Sequence, residues 1–164
     1  MPASNTYEPI ATTTLTSATA SVSFGSIPQT YTDLVIVSQM QLTTGSQAVF
    51  LRFNSDDSAN YSVTRVYGNG STATSDRFSS QTGGIDISYI SNSAWTIANT
   101  NIQNYSNSTT YKTVLGRWGS SAFTTLIAGL WRSTNVITSL TLTPYGSDTF
   151  ISGSTFTLYG IKAA

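Results

Sequence analysis

The chain of 164 residues has the length of a single domain, and its seven Lys and Arg balance seven Asp and Glu to a formal net charge of zero. It contains neither Cys nor His, which excludes disulfide scaffolds, Cys/His zinc sites and every catalytic triad or proton relay that needs a histidine. The balanced charge also lacks the positive surface that nonspecific nucleic-acid binding requires, so we expect no nucleic-acid partner.

The composition favours a soluble all-β protein. Ser and Thr make up about a third of the residues, but 39% hydrophobic and 12% aromatic residues are too many for a disordered chain. Thr, Tyr, Phe, Val and Ile suit a half-buried pleated sheet, whose wet face Ser and Thr can cover. No apolar run approaches the ~20 residues that span a membrane, and residues 1–7 lack the features of a secretory signal. We therefore expect synthesis in the cytoplasm and no membrane partner.

Alternation of apolar and polar residues at every second position predicts about nine to eleven short strands and essentially no long helix. Strands at this spacing predict one domain over residues 1–164, a jelly-roll-like antiparallel β-sandwich, with a closed β-barrel as the alternative. In 33–42, apolar residues on both faces predict a strand that is covered on both sides. The predicted strands are, in order, 10–15, 21–24, 33–42, 48–54, 61–67, 85–89, 95–105, 112–118, 124–132, 136–143 and 155–161.

Two segments predict irregular structure. Residues 69–82 are rich in Ser, Thr and Gly without apolar alternation, which is typical of a long exposed loop or flap. Residues 1–8 have little to bury and predict an N-terminal arm that orders on a partner.

The acidic residues offer no convincing catalytic pair. Without His or Cys, catalysis needs carboxylates, as in a glycosidase, where two of them converge across a sugar. Asp86 lies clearly inside a predicted strand, on its polar face, while the other carboxylates fall at predicted turns, where Asp is favoured for local hydrogen bonds. We therefore predict no enzymatic activity, no catalytic or cofactor-binding residues and no cofactor. The candidates considered are Glu8, Asp33, Asp56, Asp57, Asp76, Asp86 and Asp148.

The run 56–60 resembles the start of a calcium loop, because Asp56, Ser58 and Asn60 stand at alternate positions. Tyr61 then occupies the place of the required Gly, and Tyr67 that of the bidentate Glu, so the EF-hand pattern fails. A polar connection between two strands is the favoured interpretation, and a cation site of another kind is the alternative.

The tryptophans are the remaining candidates for ligand binding. Trp95, Trp118 and Trp131 have the flat faces that stack on sugar rings, but the same residues fill cores and subunit interfaces. Core or interface is the favoured interpretation.

The low charge indicates a surface that is covered by other subunits. Soluble β-proteins usually guard their exposed edges with Lys, Pro or inward charges, and Lys112 and Lys162 are the only lysines. We therefore expect much of the surface to contact identical copies or a larger scaffold.

Six stretches, spread in order over nearly the whole chain, resemble small virion proteins of tailed bacteriophages, including phages of cyanobacteria and other marine bacteria. Each alone is a plausible generic strand and turn, and their order makes the resemblance specific. The stretches are 7–12 (YEPIAT), 24–34 (FGSIPQTYTDL), 60–68 (NYSVTRVYG), 128–131 (AGLW), 137–142 (ITSLTL) and 153–161 (GSTFTLYGI).

The resemblance implies a non-enzymatic virion module, usually trimeric, found in capsid decoration (cement) proteins and in head or tail fibres. Because no fibre shaft or coiled-coil heptad is visible, we expect a homotrimeric decoration protein that binds the major capsid protein on the outer capsid surface. A fibre module that binds a host surface glycan is the alternative. The arm, with Tyr7, is expected to contact the shell or a neighbouring subunit, and the resemblance carries over no functional residue.

Overall fold

The computed structural model describes residues 6–121 and 123–162, and every helix or strand within them is a β-strand. Consequently no helix in these ranges is suited to crossing a membrane. The strands number twelve, against nine to eleven predicted. They are β1 (Tyr7–Thr14), β2 (Val22–Phe24), β3 (Asp33–Met40), β4 (Ser46–Phe53), β5 (Tyr61–Gly68), β6 (Ala73–Gln81), β7 (Ile85–Ser91), β8 (Thr96–Gln103), β9 (Lys112–Gly119), β10 (Thr124–Trp131), β11 (Leu140–Pro144) and β12 (Thr155–Ile161).

The strands form two antiparallel sheets of unequal size. The larger sheet has eight strands in the order β1-β12-β3-β8-β9-β10-β5-β6, and the smaller has four in the order β2-β11-β4-β7. The predicted all-β sandwich is confirmed. The closed barrel, which was the alternative, is wrong, because the two sheets remain separate.

Eight of the strands follow a jelly-roll order. The small sheet is β2-β11-β4-β7, and opposite it β3, β8, β5 and β6 follow one another with the β9–β10 hairpin inserted after β8. An eight-stranded jelly roll is two Greek keys folded into two such sheets. Strands β12 and β1 extend the large sheet beyond β3.

The core lies between the sheets and is built from every second residue of each strand. Leu34, Ile36 and Met40 of β3 are fully buried and face the small sheet. At one end, the ring of Trp131 stacks on Tyr61 at 6.4 Å between centroids and packs against Phe53 at 5.4 Å. Apolar alternation therefore defines the core, as the sequence predicts.

The segment 69–82 is not a loop, which corrects the prediction. Ala73–Gln81 forms β6, which pairs with β5 over most of its length. Most of its residues are exposed, on both faces, because β6 is the outermost strand of a sheet that is twice as wide as the one opposite it. A strand with two wet faces has no apolar alternation, so its sequence resembles a loop.

The second face of β3 and the N-terminal segment differ in part from the predictions. In β3, Val35 is buried on the second face but Val37 is 38% exposed, so the strand is covered on both sides only in part. Within the predicted arm 1–8, residues 1–5 lie outside the described residues, while Tyr7 and Glu8 pair with Ile161 and Gly160. Strand β1 therefore begins inside the segment that was predicted as an arm.

Candidate functional site

An ion cluster joins three strands at one end of the sandwich. The guanidinium of Arg65 on β5 donates from Nε and Nη2 to the two carboxylate oxygens of Asp76 on β6, at 2.8 and 2.6 Å. Its Nη1 donates to Oδ2 of Asp86 on β7 at 2.5 Å. The bonds to Asp76 raise the pKa of Arg65, so the arginine stays charged between two carboxylates.

Asp86 is buried, although strand alternation placed it on a polar face. Its side chain is only 6% exposed. Although β7 is an edge strand of the small sheet, β5 of the larger sheet packs against it and covers Asp86. Burial raises the pKa of Asp86 to about 6, with Arg65 opposing that shift and Asp76 adding to it. The prediction failed because alternation is interrupted in β7: Val49 pairs with Ser88 and Phe50 with Asp86, so Ile87 is left without a partner on β4.

Beside this cluster lies a pocket of about 250 Å³ lined mostly by aromatic rings. Tyr67, Thr125 and Trp118 stand opposite one another on β5, β10 and β9, and so form one row across the large sheet. Tyr89 of β7 and Phe123, just before β10, complete the wall, with Arg65 at its margin.

Two of the residues that line this pocket carry a buried polar atom for which the described part of the chain supplies no hydrogen-bond partner. Trp118 is 7% exposed and Thr125 is 1% exposed. The indole Nε1 of Trp118 and Oγ1 of Thr125 are buried, and neither has a partner among the described residues. A buried donor without a partner costs about 1–3 kcal/mol. Both atoms are closed to solvent, so they lie beneath the pocket wall and are not presented on its surface.

The outer face of the eight-stranded sheet is the second candidate site, because several large apolar side chains are exposed on it. One row of directly paired residues crosses five neighbouring strands, β3, β8, β9, β10 and β5. In that order, the row consists of Val37, Asn99, Arg117, Leu126 and Val66. Arg117 is the one charged side chain of that row.

Further large apolar side chains flank this row. Ile97 of β8 and Leu115 of β9 stand on the same face, and the exposed fractions of Ile97, Leu126, Val66, Leu115 and Val37 range from 61% down to 38%. Val37, Ile97 and Leu126 also line a shallow groove of about 570 Å³. We call the surface formed by these five apolar residues with Asn99 and Arg117 the open face. Exposed apolar side chains that lie close together on one face are a feature of interaction sites, which makes the open face a candidate.

The remaining carboxylates lie apart and have local roles. Asp33 accepts a hydrogen bond from the backbone of Asn104 at 2.8 Å, and Glu8 pairs with Lys162 at 2.6 Å. Asp148 accepts the hydroxyl of Thr43 at 2.7 Å. Of the seven candidates, only Asp76 and Asp86 converge, and Arg65 lies between them.

The run 56–60 forms a polar connection between β4 and β5, which was the favoured interpretation. One oxygen of Asp56 accepts the amide and hydroxyl of Ser58, and the other accepts Asn60 Nδ2 at 3.0 Å and Trp131 Nε1 at 2.7 Å. Burial opposes ionisation of Asp56, but these hydrogen bonds outweigh it and lower its pKa. No group of three or more acidic side chains that could hold a metal occurs in the described parts of the chain.

The other residues singled out in the sequence divide between core and surface. Trp131 belongs to the core and Trp118 is nearly buried, whereas Trp95 is exposed. Lys112 is buried and donates to the carbonyls of Thr110 and Thr134, and burial lowers its pKa. Lys112 is therefore not available to protect an exposed sheet edge, and Lys162 forms an ion pair with Glu8.

The sequence did not reveal the pocket, because its residues come from four separate segments. One signal was present: Thr125 occupies an inward position of β10, two residues before the buried Ile127. A hydroxyl at such a position needs a partner, and strand register alone brings it between Tyr67 and Trp118.

No family model matches the chain, and no curated protein matches it significantly.

Proposed function

We propose that the chain is a non-enzymatic structural protein of a bacteriophage virion, a trimeric capsid decoration protein that bridges and stabilises neighbouring capsid subunits. The observation that carries the proposal is the open face, whose five apolar side chains remain exposed among the described residues. The sequence resemblance to phage virion proteins supplies the viral context. Subunits of a shell act through their surfaces, and five of the exposed large apolar side chains of the described residues lie together on one sheet face.

The size of the sheet suits an interface between copies. Eight strands about 4.8 Å apart, each with about eight residues rising ~3.4 Å, give a face on the order of 1,000 Å². A standard interface takes about 800 Å² from each partner, so the face is large enough for one standard contact or for two smaller contacts of about 500 Å² each. Apolar contacts on this face are also weakly affected by salt, because little of their energy is screened Coulomb attraction.

A cyclic trimer needs two different contact patches on every subunit. The two halves of the open face supply them: Val37 and Ile97 lie on β3 and β8, and Leu126 and Val66 on β10 and β5. Turning these halves toward two neighbours covers the apolar row and leaves the smaller sheet and the strand ends for the capsid.

Decoration acts by mass action. A trimer that binds the assembled shell and not its separate subunits stabilises the shell in proportion to the logarithm of its concentration over its Kd. Several capsid contacts by one trimer add avidity, because after the first contact the others form within one complex.

Copy number in purified particles of the phage that encodes the chain tests this function. A decoration protein is expected in hundreds of copies, and particles stripped of it should lose their DNA at a lower temperature, with recovery when purified protein is added back. A few copies per particle, or unchanged thermal tolerance after stripping, would contradict the proposal.

A fibre-type module that binds a host glycan is the second candidate, favoured by the aromatic pocket beside Arg65. It differs from decoration in two measurable ways: a few copies per particle, and loss of binding to host cells when a pocket residue such as Tyr89 is replaced.

A further inference from the structure

We propose that the free edge of β6 binds an extended, acidic segment of another protein, which adds to the eight-stranded sheet as a further strand. Strand β6, Ala73–Gln81, is the last strand of that sheet, and among the described strands it pairs with β5 alone. Its nine residues make it the longest strand of the described chain. The inference goes beyond the proposed function, because it concerns a sheet edge, whereas the proposed trimer contacts lie on the open face.

The backbone of β6 offers hydrogen-bonding groups along this edge. In an antiparallel sheet, successive residues of a strand direct their N–H and C=O groups to opposite sides. Asn69 N donates to Thr72 O at 3.3 Å where β5 turns into β6, and counting along the register from this bond places residues 74, 76 and 78 on the bonds to β5. Ala73, Ser75 and Arg77 therefore direct their N–H and C=O groups outward, where an added strand can bond to them.

The opposite edge of the same sheet is blunted. Lys162 N donates to Thr6 O at 3.0 Å, so the same alternation directs the backbone of Tyr7 and Pro9 outward on β1. Pro9 has no N–H to donate, and a β-bulge follows it. Both features are ways in which proteins prevent pairing at an edge. In β6, residues 73–78 contain neither a proline nor a bulge, so this edge remains open to an added strand.

Arg77 specifies the charge of the added strand. It pairs with Thr64, two residues before Val66, and so lies on the same side of the sheet as the open face. Arg77 is exposed and forms no hydrogen bond or ion pair with the described residues. A side chain directly opposite it on an added strand would be a cross-strand neighbour, and opposite charges stabilise such a pair whereas like charges destabilise it. A carboxylate therefore fits this position, and a lysine does not.

Phe78 specifies the next residue of the added strand. Its ring is 43% exposed, although the guanidinium of Arg65 lies over it at 5.0 Å from the ring centroid. Phe78 pairs with Val63, so it stands on the face of the sheet opposite to Arg77. A β-branched side chain opposite Phe78 would cover the exposed part of the ring and form a favourable cross-strand pair. The segment therefore carries an acidic residue next to a β-branched apolar one.

Other copies of the chain do not fit this edge. Strand β1 is blunted by Pro9, and its carboxylate, Glu8, is paired with Lys162. A second β6 brings Asp76, but that carboxylate is bound by Arg65 and stands on the face opposite to Arg77. The charges therefore favour a segment of a different protein.

NMR of the ¹⁵N-labelled full-length protein tests the proposal with a synthetic probe, the terminally blocked peptide TVETTTT. When it adds antiparallel to β6, its glutamate can lie opposite Arg77 and its valine opposite Phe78. We expect a Kd on the order of a millimolar from a few backbone hydrogen bonds, so the peptide is raised to about 10 mM. The amide signals of Ala73, Ser75 and Arg77 should shift and saturate, while those of β1 stay in place.

Two altered peptides test the chemistry of recognition. TVKTTTT, which places a lysine opposite Arg77, should bind about fivefold more weakly. TVETTTT with an N-methyl group on its glutamate cannot donate to the backbone of Arg77 and should bind about tenfold more weakly. Absence of a shift in β6 with TVETTTT, equal binding of the glutamate and lysine peptides, or shifts at β1 in place of β6 would overturn the proposal.

Two variants of the protein locate the site. Ser75→Pro removes an outward N–H and leaves the bonds of residues 74 and 76 to β5 in place, so it should lose binding of TVETTTT. Ser75→Ala is the matched control, which keeps the N–H and should bind as the parent does. Arg77→Glu should reverse the preference, so that TVKTTTT binds more tightly than TVETTTT.

Unchanged binding by Ser75→Pro, or an unchanged preference in Arg77→Glu, would contradict the assignment even if the parent protein binds the peptide. Because Arg77 is exposed and unpaired among the described residues, its variant should fold and keep the test decisive even if Ser75→Pro does not fold.

Discussion

The indole N–H of Trp131, on the last residue of β10, donates a hydrogen bond of 2.7 Å to the carboxylate of Asp56 in the β4–β5 connection. Asp56 belongs to a turn that leaves the small sheet, whereas Trp131 belongs to the large one. The bond therefore ties the two layers together at the end of the core. The run 56–60, considered in the sequence as a cation site, holds a carboxylate whose partners are protein donors.

Asp56→Ala should lower the free energy of unfolding by about 2–3 kcal/mol, because it leaves the buried Trp131 N–H unsatisfied and releases the turn. Asp57→Ala is the matched control, since Asp57 is the exposed neighbour, and it should change stability by less than about 0.5 kcal/mol. Urea unfolding at pH 7 measures both. The pKa of Asp56 is lowered in the fold from its ordinary value of 3.8. The stability that its carboxylate contributes is therefore fully present above pH 3.8 and is lost as the pH falls below that value. Equal effects of the two variants would contradict the interpretation.

The free energy of unfolding of the Asp86→Asn variant should increase relative to that of the parent as the pH rises from 4 to 7. Asp86 has a pKa of about 6 in the fold against an ordinary 3.8, so between these values the folded chain binds more protons than the unfolded chain. Stability from this group is therefore full below pH 4 and declines as the pH rises through 6, by up to about 3 kcal/mol. An Asn at this position does not titrate and keeps an oxygen acceptor for Arg65.

Unfolding curves at pH 4, 5.5 and 7 measure this difference. Asp76→Asn is the comparison, because Asp76 supplies both acceptors of the two-bond contact with Arg65. It should destabilise the fold at pH 7 by about 1–3 kcal/mol. A stability difference between Asp86→Asn and the parent that does not vary with pH would show that Asp86 is ionised throughout.

Gly160→Ala should destabilise the fold by about 1–3 kcal/mol through overpacking. The ring of Tyr31 lies directly against Gly160, and a Cβ there would overlap it. Displacing Tyr31 also breaks its hydroxyl bond to Glu8 of β1, so amide exchange in β1 should accelerate. Gly25→Ala is the control, since a Cβ at Gly25 meets no atom within 4 Å. If the two variants are equally stable, Tyr31 is not held as described.

The sequence predicts the sandwich better than it predicts the sites. Apolar alternation located most of the core strands, because residues such as Leu34 and Ile36 must face the other layer. Alternation failed for β6, which is wet on both sides, and for Asp86, whose polar position is covered by a neighbouring strand. The pocket depends on register, which places Tyr67, Thr125 and Trp118 in one row although they are far apart in the chain. The composition predicts a surface that contacts other subunits, but only the three-dimensional structure shows which apolar residues are exposed together on one sheet face.

Sedimentation velocity at micromolar concentration tests the central claim, that the open face joins copies of the chain into a trimer. The parent protein should sediment as a trimer, and Leu126→Glu, which places a charge at the centre of the apolar row, should sediment as a folded monomer. Tyr145→Glu is the matched control, because Tyr145 is 60% exposed, as Leu126 is, but contacts Phe50 on the small sheet; it should remain trimeric. A parent protein that stays monomeric, or a trimer that Leu126→Glu leaves intact, would contradict the account.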